Sequence, residues 1–292
     1  MQWFYPTFRR IAAGVFLAAL SINSQAQETA GTVISTERPT QGYSPDLIPH
    51  GSVQVENGIN VAFQRGSMIG DLPESLIRMG LTTRLEVRYT FGDAFYSNSM
   101  PVAENRIQFS DLAISAKYLI AGANSIAPKS LILNLSVPSG GPALTSGSYD
   151  PTAVLIWTQS FRQGFFLNEV AGGTLTTYQG GRRPIWAPSV AGGKSLSAKV
   201  TAFAEYAPTL LQEHSLTVVI DGGAAYVLRN LQQFDVRGGD LHDTNGHHTI
   251  LSLGYSIRLD HLPSSQLLTR AKLRNQGPVV EISQAKIDCQ RK

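Results

Sequence analysis

The sequence predicts an all-β chain, an antiparallel up-and-down transmembrane β-barrel of about 12 strands. Three observations carry that expectation. Beyond Gly51, apolar residues alternate with polar or small ones in segment after segment, the period of a strand whose two faces meet different surroundings. Tight connections alternate with longer ones rich in turn formers, the pattern of a barrel with short turns at one rim and loops at the other. Charged residues are 15% of the chain, against roughly 25% in soluble domains. With Cys289 the single cysteine, an internal disulfide framework is excluded.

Residues 1–26 read as a secretory signal peptide: Arg9 and Arg10, an apolar run from Ile11 to Leu20, then Ser24-Gln25-Ala26 as a small-x-small cleavage site. The run is about ten residues, half what a spanning helix needs. Residues 27–50 are a polar, proline-containing leader without a period, expected on the periplasmic side as a partial plug, with Glu37 or Arg38 pairing a lumen charge. Residues 51–259 form the outer-membrane barrel, and residues 260–292 a polar, mildly basic periplasmic tail.

Six strands are clear within the barrel region. Their apolar faces are Val53 to Phe63, Leu85 to Phe91, Leu112 to Ile120, Leu131 to Val137, Leu216 to Tyr226 and Thr249 to Leu259. Weaker segments at about 72–81, 151–161, 165–175, 185–194, 198–207 and 231–237 complete the count. Tight turns are expected at 82–84, 161–164, 196–198 and 229–230, and long loops at 92–108, 138–148, 176–184 and 238–247. The short stretches at 65–70 and 208–213 break this regularity.

Patterning alone does not say which face is inside, and a secreted β-sandwich reverses the assignment. A barrel in lipid must close to satisfy its edges and present apolar residues outward. Glu56, Glu74, Arg78, Glu86, Arg88, Asp111, Lys117, Asp221 and Arg258 are then expected to line the lumen and set selectivity, with Glu74, Arg78, Glu86 and Arg88 networked across adjoining strands. Gly172, Gly173, Gly192 and Gly193 cluster on adjacent strands and mark a candidate lateral opening. His242, Asp243, His247 and His248 crowd one loop as a candidate metal site, weighed against a merely solvated loop. Neither His50-Gly-Ser52 nor His214-Ser215 has the spacing of a serine–histidine pair, which argues against a lipid hydrolase. A net charge of +3 without a basic cluster argues against a nucleic-acid partner, and no cofactor motif occurs.

Several stretches resemble the phenol-degradation meta-pathway outer-membrane proteins, a family usually described as transporters. They are Ser35-Thr-Glu-Arg-Pro-Thr40, Gly51-Ser-Val-Gln-Val-Glu56, Leu72 to Arg88, Phe109 to Tyr118, Leu133 to Gly140, Phe203-Ala-Glu-Tyr206 and Leu253 to Arg258, in that order. The resemblance implies a barrel of about 12 strands in the Gram-negative outer membrane that takes up small, often aromatic or hydrophobic, solutes. The barrel reading itself leads us to expect lipid, lipopolysaccharide and the barrel-assembly machinery as partners, both termini in the periplasm, and no enzymatic activity. The alternative is a structural or adhesive barrel without transport. Ser252-x-Gly254-x-x-Ile257-x-Leu259 is similar to the terminal assembly signal of such barrels, but the chain continues to Lys292.

Overall fold

A computed structural model describes residues 33–97, 107–121, 129–178, 180–211, 216–244 and 246–260. The signal-peptide residues, His214-Ser215 and the tail beyond Asp260 lie outside the described residues. Fifteen strands follow in order: β1 (Val53–Gln64), β2 (Ser67–Gly80), β3 (Leu85–Thr90), β4 (Ala94–Ser97), β5 (Ile107–Phe109), β6 (Leu112–Leu119), β7 (Ser130–Val137), β8 (Asp150–Ser160), β9 (Phe165–Tyr178), β10 (Gly181–Trp186), β11 (Ser189–Ser195), β12 (Val200–Leu211), β13 (Leu216–Arg229), β14 (Gln232–Asp243) and β15 (Gly246–Leu259). All pairings are antiparallel.

Three pairs of strands are the halves of interrupted staves. β3 and β4 both pair with β2, β10 and β11 both lie between β9 and β12, and β5 continues into β6 after Ser110-Asp111. Twelve staves result, and β1 pairs with both β2 and β15, which closes the ring. The starts of β1 and β3 and the ends of β2 and β15 fall on one rim, here the near rim, together with the turns at 81–84, 161–164, 196–199 and 230–231.

The structure decides between the two assignments of faces. Leu133, Leu135, Ile114, Ile220, Leu251 and Leu253 are exposed on the outside, while Gln54, Glu56, Arg78, Glu86, Lys117 and Ser256 are almost completely buried. This inverts the usual soluble arrangement, and so extensive an apolar belt is stable only against lipid.

The expected long loops at 176–184 and 238–247 are mostly strand. β9 and β10 continue to Tyr178 and from Gly181, and β14 and β15 to Asp243 and from Gly246. Part of 92–108 is likewise strand, as β4 and β5. Beyond the lipid belt both faces of a strand meet water, so the apolar/polar period vanishes while the hydrogen-bond ladder continues. The stretch at 65–70 is a two-residue hairpin turn, Arg65-Gly66 (φ 44° and 86°), between strands that run further than the alternation does.

One seam of the wall is incomplete. β10 pairs with β12 through Ile185↔Leu211 and Trp186↔Leu210, and β11 resumes pairing at Val190↔Tyr206. The register is the same on both sides of the gap, which places Pro188 opposite Pro208. Neither proline has an N–H to donate.

Candidate functional site

The leader from Val33 to Ser52 lies in the lumen, because its polar contacts run around most of the circumference. It touches inward side chains of β1 (Gln54, Glu56), β2 (Glu74, Arg78), β3 (Glu86), β6 (Lys117), β7 (Ser130), β9 (Asn168), β12 (Glu205), β14 (Gln233, Asp235) and β15 (Ser252). Irregular backbone at this depth must find partners inside the protein, and the inward polar face supplies them.

The first half of the site surrounds Glu37. Lys117 Nζ donates to its carboxylate at 2.9 Å, the guanidinium groups of Arg78 and Arg88 lie 3.5 Å away, and the Ser44 N–H donates to it at 2.8 Å. The backbone N–H of Glu37 donates in turn to Glu56 Oε2 at 2.9 Å. Arg78 uses all five of its N–H groups. Nε and Nη2 donate to Glu86 (2.7 and 2.9 Å), Nη1 to Glu56 (3.0 Å) and to the Ser35 carbonyl (3.0 Å), and Nη2 also to the Asp46 carbonyl (2.9 Å). Glu86 accepts the Ile48 N–H at 2.9 Å.

Three carboxylates (Glu37, Glu56, Glu86) thus face three cations (Arg78, Arg88, Lys117), all nearly removed from solvent. Buried charges persist only when paired in this way. Burial alone would raise the Glu37 pKa, but Lys117, Arg88 and Arg78 outweigh it and hold the group at about 2.

The second half is a seat for Arg38. Successive pairings across four strands give the row Glu74 (β2), Gly58 (β1), Gly254 (β15) and Asp235 (β14). The guanidinium lies over the two glycines, where a Cβ on either would overlap it. It contacts Glu74 at one end and Asp235 Oδ1 at the other (3.3 Å), and donates to Ser252 Oγ at 2.7 Å. An acid–glycine–glycine–acid row is the shape and charge complement of one flat cation.

Further along, Glu205 accepts the N–H groups of Gln41 (2.6 Å) and Gly42 (2.8 Å), and Asp221 lies 3.5 Å from Arg237 on the same side of the lumen. Tyr43 packs on an apolar patch of the inner face, formed by Ile132, Val154, Ile156 and Val170, with the Arg88 guanidinium 5.4 Å from its ring centre.

The sequence-predicted residues therefore separate. Glu56, Arg78, Glu86, Arg88 and Lys117 gather around Glu37, whereas Glu74 leaves that group for Arg38. Asp111 does not join them: it lies between β5 and β6 and accepts the N–H groups of Gly140 (2.8 Å) and Ser139 (3.0 Å), bracing the 138–148 loop. Arg258 pairs with Asp260 at 2.8 Å by the near rim. Gly172 faces the lumen beside Ala187, and Gly173 lies under Trp186 on the outside, both bordering the Pro188–Pro208 gap. Gly192 and Gly193 sit nearer the rim, and Phe166 fills the space over Gly193. His242 and His247 share the outer face with Asp240, while Asp243 and His248 pair across the inner one. Ser52 donates to Asp260 at 2.7 Å and His50 is exposed, so they form no nucleophile–base pair.

Sequence reading passed over Gln54, Glu205, Gln233, Asp235, Arg237 and Tyr43. The phase was available for the strand residues. Glu205 alternates with Ala204 and Tyr206, and Asp235 lies two positions from Gln233 and Arg237 and alternates with Phe234 and Val236.

The sequence profile of a family described as "Putative MetA-pathway of phenol degradation" matches residues 36–259. The chain belongs to this family. Its fold is similar to that of an outer membrane channel from Pseudomonas putida F1, at 13% identity and a TM-score of 0.57 over 76% of this chain and 100% of that one. Weaker likenesses include the NanC porin (10%, TM-score 0.48, 71% and 100%) and the CymD monoaromatic hydrocarbon channel (9%, TM-score 0.42, 74% and 90%). No curated protein matches the sequence.

Proposed function

We propose that this family member is an outer-membrane channel for small solutes, aromatic or hydrophobic ones among them, in which the leader narrows the near mouth. The observation that carries the reading is the leader itself, held across a polar lumen by matched buried charges inside a wall whose outer face suits lipid. A barrel made only to display loops has no need of a fitted insert. The family description, which names phenol degradation, supports the solute class.

The near rim, with its tight turns and both ends of the barrel, suits the periplasmic side, because outer-membrane barrels carry their short turns there. The leader and the tail would then both be periplasmic, with lipid and lipopolysaccharide around the wall and the assembly machinery as the inserting partner. In this reading Glu37, Arg38, Glu56, Glu74, Arg78, Glu86, Arg88 and Lys117 hold the leader. Asp221 and Arg237 border the remaining passage and bias its ion preference.

A lateral exit for apolar cargo is favoured by one observation, the missing ladder bonds between Pro188 and Pro208. The gap opens beside Gly172 on the inside and between Trp186 and Tyr206 on the outside. An apolar solute leaving there would enter lipid without crossing water.

Planar-bilayer recording and liposome flux test the channel reading, comparing the full mature chain with a variant lacking residues 33–50. Phenol and a charged sugar serve as solutes. The expected result is a small conductance that rises when the leader is removed, with phenol passing faster than the sugar. If neither protein passes ions or solute while both migrate as folded, heat-modifiable barrels, the structural or adhesive alternative replaces this reading.

A further inference from the structure

β14 and β15 carry their ladder past the lipid-facing belt, to Asp243 and from Gly246, at the rim opposite the leader. In this arm His242 is paired directly with His247, and Asp240 lies two residues before His242, hence on the same outward face. Asp240 Oδ2 is 2.7 Å from His242 Nε2 and 3.2 Å from His247 Nδ1. Ligand atoms of all three residues lie within 4.8 Å of one another, and the imidazole centres are 4.0 Å apart. All three side chains are open to solvent, and none touches the leader network.

We propose that Asp240, His242 and His247 bind one divalent transition-metal ion at the outer surface. A tetrahedral ion with bonds of about 2.0–2.2 Å needs ligand atoms roughly 3.3–3.6 Å apart. Small side-chain rotations bring the carboxylate oxygen, 2.7 and 3.2 Å from the two imidazole nitrogens, to that spacing. Two imidazoles and one carboxylate are a borderline donor set that selects Zn2+, Cu2+ or Ni2+ over Ca2+ and Mg2+, which want oxygen. Solvent supplies the fourth position. The ladder fixes the pair of histidines, so the site is more preorganised than loop spacing alone would make it.

His248 and Asp243 contribute nothing, because neighbouring strand positions point to opposite faces. They face each other across the inner side at 3.3 Å.

The test uses untagged full-length mature protein in detergent, with Cys289→Ser to remove the thiol. Zn2+ binding is followed by calorimetry, and Cu2+ by electron paramagnetic resonance. The expected result is one ion per chain with two-nitrogen hyperfine structure, resistance to excess Ca2+, and loss of this site in His242→Ala and in His247→Gln. His248→Ala should leave it unchanged. Absence of stoichiometric binding overturns the proposal, as does equal loss in His248→Ala or displacement by Ca2+. The heat-modified gel shift of every variant confirms that the barrel is folded.

Discussion

Glu37→Gln should release the leader from the lumen while leaving the wall intact. The substitution keeps the shape of the side chain and removes one of three negative charges facing Arg78, Arg88 and Lys117. Removing one partner of a buried ion pair costs about 3–5 kcal/mol, because a charge is left uncompensated. Glutamine has one acceptor oxygen and can keep the Lys117 or the Ser44 hydrogen bond but not both, because they reach different oxygens of the carboxylate. About 3 kcal/mol is therefore the least expected here. At about 1.4 kcal/mol per factor of ten, the undocked population should rise by roughly 10²-fold.

The assay is the rate at which a thiol reagent labels Thr40→Cys, in a Cys289→Ser background, in detergent. The docked leader half-buries Thr40, so release speeds labelling, and in the regime of fast reclosing the added rate follows the open population. Asp111→Asn is the control, since Asp111 contacts the 138–148 loop and not the leader. A labelling rate that rises less than about threefold, in a protein that still runs as a folded barrel, would refute the claim that the charge balance around Glu37 retains the leader.

The pH dependence follows from the same group. A carboxyl whose pKa is lowered from 4.5 to about 2 on docking stabilises the docked state fully above pH 4.5 and loses that contribution as pH falls toward 2. Through this group, labelling of the parent Thr40→Cys protein should therefore climb as pH falls below about 4.5, and Glu37→Gln should lose that part of the climb, measured with a reagent that is itself insensitive to pH. Gly58→Ala places a methyl group where the Arg38 guanidinium lies. Overpacking of this kind costs about 1–3 kcal/mol, so leader labelling should increase while the β1–β15 pairing, read by hydrogen exchange, persists. Pro188→Val with Pro208→Val restores two donors at the open seam, worth about 1 kcal/mol per bond formed. Thermal stability should rise and phenol flux into lipid should fall, with ion conductance unchanged; equal loss of ion and phenol flux would place the route in the lumen instead.

What the sequence made legible was the part that lipid dictates. Glu56 and Arg88 could be placed on the inner face because their neighbours had to face hydrocarbon, and the alternation records that demand directly. Where the demand ends, so does the signal. Residues 176–184 and 238–247 look like loops because strands above the belt have water on both sides. Asp111 shared the inner phase by counting, but the break between β5 and β6 turns it to the 138–148 loop. The seat for Arg38 was unreadable for a different reason. Glu74, Gly58, Gly254 and Asp235 come from opposite ends of the sequence and become neighbours only through register. Glu37 and Arg38 themselves stood out as charges in a proline-rich leader, but nothing local to them specifies their partners.

That seat spans the seam between the first and last strands, with one carboxylate on β2 and the other on β14. A barrel whose β1 and β15 have not yet met offers Arg38 half of its binding surface. Arg38 can therefore find its full seat only after the ring is complete, and its docking is a record that closure has happened. Unfinished barrels would leave the Arg38 end of the leader without its seat.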